Sequence, residues 1–206
     1  MEQHRAQPLR LVILLSGNGS NLQAIIDSIA NQHLPAQIVA VISNKADAYG
    51  LQRASQAGIP TEVLAHTDFT ERKLYDQALM QRIDHYQPDL VVLAGFMRIL
   101  SDEFVEHYTG RMMNIHPSLL PEYKGLNTHQ RVLDAGEKEH GCSVHFVTPT
   151  LDDGPVILQA RVEVKENDTP ESLAERVHAE EHRIYPEAIR LFAENKISLK
   201  NTESTP

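Results

Sequence analysis

The stretch that decides the fold of this chain is Leu9-Arg-Leu-Val-Ile-Leu-Leu-Ser-Gly-Asn-Gly-Ser-Asn21. Its nearly continuous apolar run over 9–15 is typical of a central parallel strand that other elements cover on both faces. Two glycines follow the run, and apolar residues then recur at helical spacing over 22–29. A strand, a glycine loop and a helix in this order predict the first unit of an α/β sheet.

The loop over 16–21 is an anion-binding arrangement. Glycines let the backbone approach a ligand closely, and a helix N-terminus presents unpaired N–H groups to a negative charge. The loop lacks the Gly-Lys-Ser/Thr ending of a nucleoside-triphosphate site, and the next predicted strand, 38–42, ends in Ser43-Asn-Lys45 where a dinucleotide site needs an acidic residue. A phosphomonoester therefore fits better than NAD, although a tight turn with Ser20 or Asn21 as helix cap gives the same pattern.

Further strands and helices alternate along the chain. Strand patterns occupy 60–64, 89–94 and 112–116, and helical patterns occupy 49–57, 101–108 and 125–135. Asp68-Phe-Thr-Glu71 has the form of a capping box. We expect it to open a helix whose apolar stripe is Leu74, Leu79, Ile83 and Tyr86.

Beyond residue 144 the hydrophobic period changes to two, which predicts strands at 144–148 and 156–164. Thr169-Pro-Glu171 then starts a long last helix, with a cap and a proline at the first helical position. We predict an α/β fold, Rossmann-like and doubly wound, with a mostly parallel sheet, an antiparallel C-terminal hairpin and a long C-terminal helix. The expected organisation is a single domain over 1–206, with flexible tails at about 1–8 and 199–206.

Composition indicates an ordinary soluble globular protein. Hydrophobic residues make up 41% of the 206 residues, and 28 acidic against 19 basic residues give a net charge of −9. Without a basic run, a nucleic-acid surface is disfavoured. No stretch approaches the about 20 apolar residues of a membrane span, and the single cysteine, Cys142, excludes an intrachain disulfide and a multi-cysteine zinc site. We expect a cytoplasmic protein without nucleic-acid or membrane partners.

The segment Asn114-Ile-His-Pro117 combines two polar side chains with a rigid turn. Residues two apart in a strand project to the same face, so Asn114 and His116 are expected to stand side by side. Pro117 removes a backbone donor and ends the strand just after the histidine. An amide donor and an imidazole then lie at the carboxyl end of a strand, where open α/β folds hold their active sites.

Four other features could serve a ligand, but each also has a purely structural interpretation. Asp152 and Asp153 lie in an Asp-Asp-Gly segment, which is usually only a turn. Arg72 falls in the first turn of a helix, a poor place for a cation, and bare pattern favours a solvated arginine there. Glu181 lies close to the inner stripe of the last helix, where a solvated acidic face is the default. The apolar loop over 96–100 either packs under the domain or lines a ligand pocket.

Three motifs together resemble the phosphoribosylglycinamide formyltransferases, the folate-dependent enzymes of de novo purine synthesis. The motifs are Ser16-Gly-Asn-Gly-Ser-Asn-Leu22, Asn114-Ile-His-Pro-Ser-Leu-Leu-Pro121 and Leu151-Asp-Asp-Gly-Pro155. The likeness covers nearly all of 9–198. The histidine motif and the aspartate loop occur across the wider formyltransferase family and suggest the chemistry, whereas the glycine loop points to a glycinamide ribonucleotide substrate.

The resemblance implies a role for each candidate residue. Asn114, His116 and Asp152 are implied to be catalytic. Gly19, Ser20 and Asn21 are implied to hold the substrate phosphate, with Glu181 near the ribose and amine end. The residues implied to bind the co-substrate, 10-formyltetrahydrofolate, are Arg72, Met97, Arg98, Ile99, Leu100, Asn114 and Asp152. Two positions depart from the family pattern: Asp153 stands where members often have a small residue, and Lys124 where some have proline.

The implied reaction moves the formyl group to the primary amine of 5-phosphoribosylglycinamide and releases tetrahydrofolate, without a metal. Asn114 would donate to the formyl oxygen as charge grows there, a contribution worth about 3 kcal/mol in acyl transfer. His116 would either donate to that oxygen or shuttle the amine proton, and Asp152 would orient the imidazole or an intervening water. Open alternatives are a formyltetrahydrofolate hydrolase, a methionyl-tRNA formyltransferase and a non-catalytic nucleotide-binding or nicotinamide-binding module. The sequence allows a monomer or a homodimer.

Overall fold

The computed structural model describes residues 7–202. Its strands are β1 (Leu9–Leu15), β2 (Ala36–Ser43), β3 (Thr61–Val63), β4 (Leu90–Leu93), β5 (Met112–His116), β6 (Glu139–Phe146) and β7 (Val156–Glu163). Its helices are α1 (Ser20–Ala30), α2 (Tyr49–Gln56), α3 (Arg72–His85), α4 (Asp102–His107), α5 (Thr128–Asp134), α6 (Pro170–Ala193) and α7 (Leu199–Thr202). Within the described range, none of the helices has both the length and the apolar character that crossing a membrane demands.

The strands form one seven-stranded sheet in the order β3-β2-β1-β4-β5-β6-β7. β1 to β5 pair in parallel, whereas β6 pairs antiparallel with β5 and β7 antiparallel with β6. Parallel neighbours need a crossover connection, and helices supply it; antiparallel neighbours need only a short loop. The predicted fold, with its parallel sheet, antiparallel hairpin and long last helix, is confirmed.

β1 is an interior strand of the sheet, between β2 and β4, and is buried on both faces. Leu9, Leu11, Ile13 and Leu15 pack into a core that α1 and α6 cover, and Val12 and Leu14 pack into a second core under α3 and α4. This alternation follows from the two-residue period of a strand. The continuous apolar run that predicted a central strand therefore divides between two cores, one on each side of the sheet.

The predicted start of α3 is wrong. Asp68 ends a short 3₁₀ turn, and α3 begins at Arg72 after Glu71, which makes no side-chain cap. The apolar stripe is also displaced, because Leu74 is 47% exposed while Tyr75 is fully buried. Tyr75 is four residues before Leu79, so it fills the place in the core that the sequence pattern gave to Leu74.

Several element ends also differ from the prediction. α5 begins at Thr128, because Gly125 and Asn127 adopt left-handed backbone angles with φ of 83° and 55°. β6 begins at Glu139, which pairs with Glu163 of β7, so it is longer than the run that predicted it. Residues 199–202, assigned to a flexible tail, form α7, and Leu199 packs against the core. The expected tail segments 1–6 and 203–206 lie outside the described residues.

α6 is continuous across Pro186 and is tied to the sheet beside the parallel strand ends. The Tyr185 hydroxyl lies 2.8 Å from the carbonyl oxygen of Leu93 and 3.1 Å from that of Met113. Both oxygens are backbone acceptors of neighbouring strands, β4 and β5. Tyr185 therefore fixes where α6 lies relative to the strand ends that carry the site residues.

Replacement of Gly141 by alanine is expected to destabilise the fold. A Cβ at Gly141 would lie 1.9 Å from the Ala160 carbonyl oxygen of the neighbouring strand, so the backbone must shift. Overpacking of this kind lowers the free energy of unfolding by about 1–3 kcal/mol. Gly17→Ala is the control, since a Cβ there meets no atom within 4 Å. Urea denaturation of both variants measures the difference, and equal stabilities would contradict the prediction.

Candidate active site at the carboxyl ends of the parallel strands

A cavity of about 810 Å³ opens where β1, β4 and β5 end. β1 and β4 are neighbours whose following segments diverge, and this switch point is where open α/β sheets bind ligands. Eleven of the predicted site residues line this cavity: Gly19, Ser20, Asn21, Met97, Arg98, Ile99, Leu100, Asn114, His116, Asp152 and Glu181. Arg72 is outside this set; it is exposed at the first position of α3.

The glycine loop leaves the N-terminus of α1 without a side-chain cap. Gly19 is the cap residue with φ of 75°, no described side chain accepts from the helix there, and the first turn holds no acidic residue. Ser20 and Asn21 therefore do not cap the helix, contrary to the alternative that the loop is a tight turn with one of them as the cap. A Cβ at Gly19 would lie 2.6 Å from the Cα of Gly50, so only glycine fits. Uncapped N–H groups and the helix dipole can face an anion at this end of the cavity.

Asn114 is held by a histidine of the neighbouring strand. Its Nδ2 lies 3.2 Å from His145 Nε2, and His145 Nδ1 lies 2.9 Å from the Phe146 carbonyl oxygen. A carbonyl oxygen only accepts, so Nδ1 carries the proton and Nε2 accepts from Asn114. Burial lowers the pKa of His145, which keeps the ring neutral and preserves this arrangement. The Asn114 amide is thus fixed in orientation, with a second N–H still available.

His116 lies between a backbone carbonyl and Asp152. Its Nε2 lies 3.0 Å from the Tyr123 carbonyl oxygen, and its Nδ1 lies 3.4 Å from Asp152 Oδ2. The second distance is longer than the about 3.2 Å of an ordinary hydrogen bond. Both side chains are 8% exposed. The Nε2 side is therefore occupied by the protein backbone, and the Nδ1 side faces a nearly buried carboxylate.

Asp152 lies at the tip of the 149–155 loop, which contacts the segment after His116. Its backbone has φ of 49°, an uncommon left-handed conformation for a residue other than glycine. Its Oδ2 accepts a hydrogen bond of 2.9 Å from the Gly125 N–H. The same oxygen faces His116, so Gly125 fixes the carboxylate that stands opposite the imidazole.

Glu181 is a buried residue of α6 that faces the first turn of α1. It is 5% exposed, and its Oε2 accepts from Asn21 Nδ2 at 3.0 Å. Burial raises the pKa of Glu181, and the Asn21 hydrogen bond opposes that shift. Asn21 Oδ1 is also buried and has no hydrogen-bond partner among the described residues. A buried carboxylate and an unsatisfied amide oxygen together favour a ligand that donates hydrogen bonds.

The opposite rim of the cavity is apolar and exposed. Met97, Ile99, Leu126 and Leu151 are between 55% and 70% exposed. The loop is tied to β1, because the Met97 N–H donates to the Ser16 hydroxyl at 2.8 Å. Exposed apolar side chains concentrated around one cavity mark a surface for a ligand with an apolar face. Arg98 stacks on the Tyr75 ring at 4.5 Å, so its guanidinium contacts α3.

Sequence reasoning missed three histidines of the site. His145, His129 and His178 all line the cavity. His145 could have been found from the alternation of β6, which places it opposite Asn114 once the strand pairing is known. His129 lies 3.0 Å from His140, and burial lowers the pKa of both rings, that of His140 to about 4. Among residues 7–202, no group of three or more His, Cys, Asp or Glu side chains is arranged to hold a metal ion.

The site therefore combines an uncapped helix end, a fixed amide donor, an imidazole facing a carboxylate and an apolar rim. Comparison with known proteins identifies the class: residues 9–189 match the formyl transferase family, and the chain belongs to that family. It is 55% identical over 191 residues to phosphoribosylglycinamide formyltransferase of Escherichia coli, covering 93% of this chain and 90% of the relative.

A solved structure and a further curated sequence agree with this assignment. The phosphoribosylglycinamide formyltransferase of Coxiella burnetii superposes with a TM-score of 0.89 at 58% identity, covering 93% of this chain and 90% of that one. The human trifunctional purine biosynthetic protein adenosine-3 is 48% identical over 190 residues, which are 92% of this chain but 19% of that protein. The resemblance stated from the three motifs is confirmed.

Glu181→Gln is expected to stabilise the protein at neutral pH. The folded-state pKa of Glu181 is raised above the ordinary 4.5, so the wild type loses stability as pH rises from 4.5 through that folded pKa. The glutamine variant does not titrate and keeps that stability. Denaturant unfolding at pH 4.5 and at neutral pH should show a gap in the free energy of unfolding between Glu181→Gln and the wild type that widens with pH. Glu175→Gln, on an exposed position of α6, should show no such gap; a similar gap there would contradict the assignment.

Proposed function

We propose that this chain transfers the formyl group of 10-formyltetrahydrofolate to the primary amine of 5-phosphoribosylglycinamide, in the synthesis of purines. The products are 5-phosphoribosyl-N-formylglycinamide and tetrahydrofolate. The observation that carries the proposal is that Asn114, His116 and Asp152 line the same cavity as the uncapped glycine loop. The formyltransferases that this chain resembles over nine-tenths of its length support the reaction class.

In this proposal the ribonucleotide lies between α1 and α6. Its phosphate would accept from the backbone N–H groups of Gly19, Ser20 and Asn21, because the helix end offers uncapped donors and a favourable dipole. Glu181 would accept from the hydroxyl or amine groups of the substrate, since it is the buried carboxylate at that end of the cavity. This orientation points the amine toward β5.

The folate would occupy the other end of the cavity. Met97, Ile99 and Leu100 offer apolar contacts for a flat ring system, and the exposed Leu126 and Leu151 extend that surface. Arg98 and Arg72 are the cations proposed for the anionic tail of the co-substrate, at the edge of the cavity and on α3. Bound folate supplies the formyl group, and the chain supplies its position next to Asn114.

Asn114 is proposed to stabilise the negative charge that develops on the formyl oxygen. One N–H of its amide is used by His145, and the other remains for the oxygen. Because His145 holds the amide before substrate arrives, little reorganisation is needed during the reaction. A donor that is already oriented stabilises the transition state more than the ground state.

His116 is proposed to handle the proton that the amine loses. Its Nε2 is committed to the Tyr123 carbonyl, so exchange takes place at Nδ1, on the side of Asp152. The Asp152 carboxylate faces that nitrogen, with 3.4 Å between Nδ1 and Oδ2. Asp152 is therefore proposed to orient His116 during the reaction.

We also propose that the chain acts on small molecules in the cytoplasm and binds no nucleic acid, in keeping with its net charge of −9. The residues named for the site belong to one chain, so a monomer or a homodimer would each contain complete sites. The proposed catalytic unit is the single domain that carries the seven-stranded sheet.

The first test is turnover with purified protein. Glycinamide ribonucleotide and 10-formyltetrahydrofolate should give tetrahydrofolate and the formylated product together. Asn114→Ala and His116→Ala should each lower kcat by at least about 100-fold while ribonucleotide binding is largely kept, and the pH–rate profile should change shape only when His116 is replaced. Folate turnover without the amine would indicate a hydrolase, and ligand binding without any turnover would indicate a binding module.

A second test addresses His145. His145→Leu removes the acceptor that orients Asn114, so kcat should fall by about 10-fold, less than for loss of the donor itself. His145→Gln should recover part of the activity, because an amide oxygen can accept from Asn114. His33→Leu replaces an exposed histidine outside the cavity and serves as the matched control. If leucine and glutamine at 145 behave alike, the hydrogen bond to Asn114 has no role in turnover.

A further inference from the structure

Three consecutive residues on the segment after β5 contact His116 or the loop that carries Asp152. The Tyr123 carbonyl accepts from His116 Nε2 at 3.0 Å, and the Gly125 N–H donates to Asp152 Oδ2 at 2.9 Å. Between them, the Lys124 ammonium forms an ion pair with Asp153. The segment 123–125 therefore joins the histidine to the 149–155 loop, and Lys124 supplies its charged contact.

We infer that Lys124 and Asp153 are positioning residues of the site, whose ion pair holds the 149–155 loop so that Asp152 faces His116. The inference rests on the proposed function and assigns to this pair a role in the same reaction. Neither residue is placed in contact with the substrates. They act through Asp152. Asp153 is the next residue in the chain, and Gly125, which follows Lys124, donates a hydrogen bond to the Asp152 carboxylate.

The geometry of the loop explains why such a contact is needed. Its base is fixed, because Phe146 N–H donates to the Pro155 carbonyl oxygen at 3.0 Å and Gly154 packs against Phe146 so closely that a Cβ would lie 1.7 Å from its carbonyl oxygen. Its tip carries Asp152 with φ of 49° and the exposed Leu151. The tip is therefore strained and partly solvated, and its contacts with 123–125 decide where the Asp152 carboxylate lies.

Charge makes the two members of the pair unequal. Asp153 follows Asp152 in the chain and adds a second carboxylate to the loop, and like charges repel each other. Lys124 compensates the added charge and holds it against the 123–125 segment. Loss of Lys124 leaves two uncompensated carboxylates in the loop, whereas loss of the Asp153 charge removes the repulsion together with the attraction. Lys124→Met should therefore be more damaging than Asp153→Asn.

The size of the effect follows from the exposure of the pair. Lys124 and Asp153 side chains are 35% and 49% exposed, so water and salt weaken their attraction. Exposed ion pairs change an equilibrium by up to about fivefold. Loss of the ion pair should therefore change, by up to about fivefold, the equilibrium between loop conformations in which Asp152 faces His116 and those in which it does not.

The experiment compares wild type with Lys124→Met, Asp153→Asn and the exchanged pair Lys124→Asp with Asp153→Lys. Hydrogen exchange of the Gly125 amide, which donates to Asp152 Oδ2, reports the placement of the loop without any substrate, and steady-state kinetics report turnover. Lys124→Met should speed exchange and lower kcat by about three- to fivefold, with the KM for the ribonucleotide unchanged. Asp153→Asn should have a smaller effect, and the exchanged pair should restore slow exchange. High salt should reduce the differences.

The matched control is Arg161→Met, which breaks an ion pair with Glu139 on the β6–β7 hairpin; both of those side chains are 61% exposed. It should alter neither loop exchange nor kcat. Two results overturn the inference even when wild type is active. One is unchanged hydrogen exchange in Lys124→Met. The other is an exchanged pair whose kcat falls as far as the losses of both single variants combined. Absence of formyl transfer by wild type, with loop exchange still dependent on the pair, overturns the proposed function and leaves the role of the pair in the loop.

Discussion

The burial of β1 between β2 and β4 is the constraint on which the rest of the structure depends. Every residue of β1 except Arg10 is buried, and both edges of the strand pair in parallel. A strand without a solvated face cannot carry polar groups along its length, so they collect where it ends. Ser16 marks that end: its N–H bonds to Gly95 and its hydroxyl accepts from Met97. One residue thus sets the spacing of the glycine loop and the apolar rim.

The polar groups at this edge are arranged for ligands at some expense of stability. Glu181 is an acid in a buried place with a raised pKa, Asn21 retains an unsatisfied oxygen and Asp152 has left-handed backbone angles. Each of these features disfavours the folded chain by itself. All three groups line the same cavity. Several unfavourable features gathered around one cavity are typical of a binding site.

The sequence allowed prediction of features that depend on local pattern. Central strands, the glycine loop and the Asn114 to Pro117 turn follow from apolar runs, glycine and proline, so the fold class and the edge of the sheet that carries the site could be predicted. Contacts between distant segments were not. His145 is 31 residues from Asn114 and Lys124 is 29 residues from Asp153, and only strand register and loop docking bring them together. For the same reason Tyr75 lies in the core where the sequence pattern placed Leu74. The apolar stripe of α3 is weak, so the sheet against which α3 packs sets the rotation of the helix.

The hydrogen bonds of His116 narrow the chemistry that its ring can perform. Because the Tyr123 carbonyl can only accept, Nε2 carries a proton, and the neutral ring directs the lone pair of Nδ1 toward the Asp152 carboxylate. Two acceptors at 3.4 Å repel, and a proton on Nδ1 turns that repulsion into attraction. Proton shuttling and donation to an oxyanion would then both take place at Nδ1. In either role Asp152 faces the nitrogen that carries the proton, so the chemistry of His116 depends on where the 149–155 loop lies.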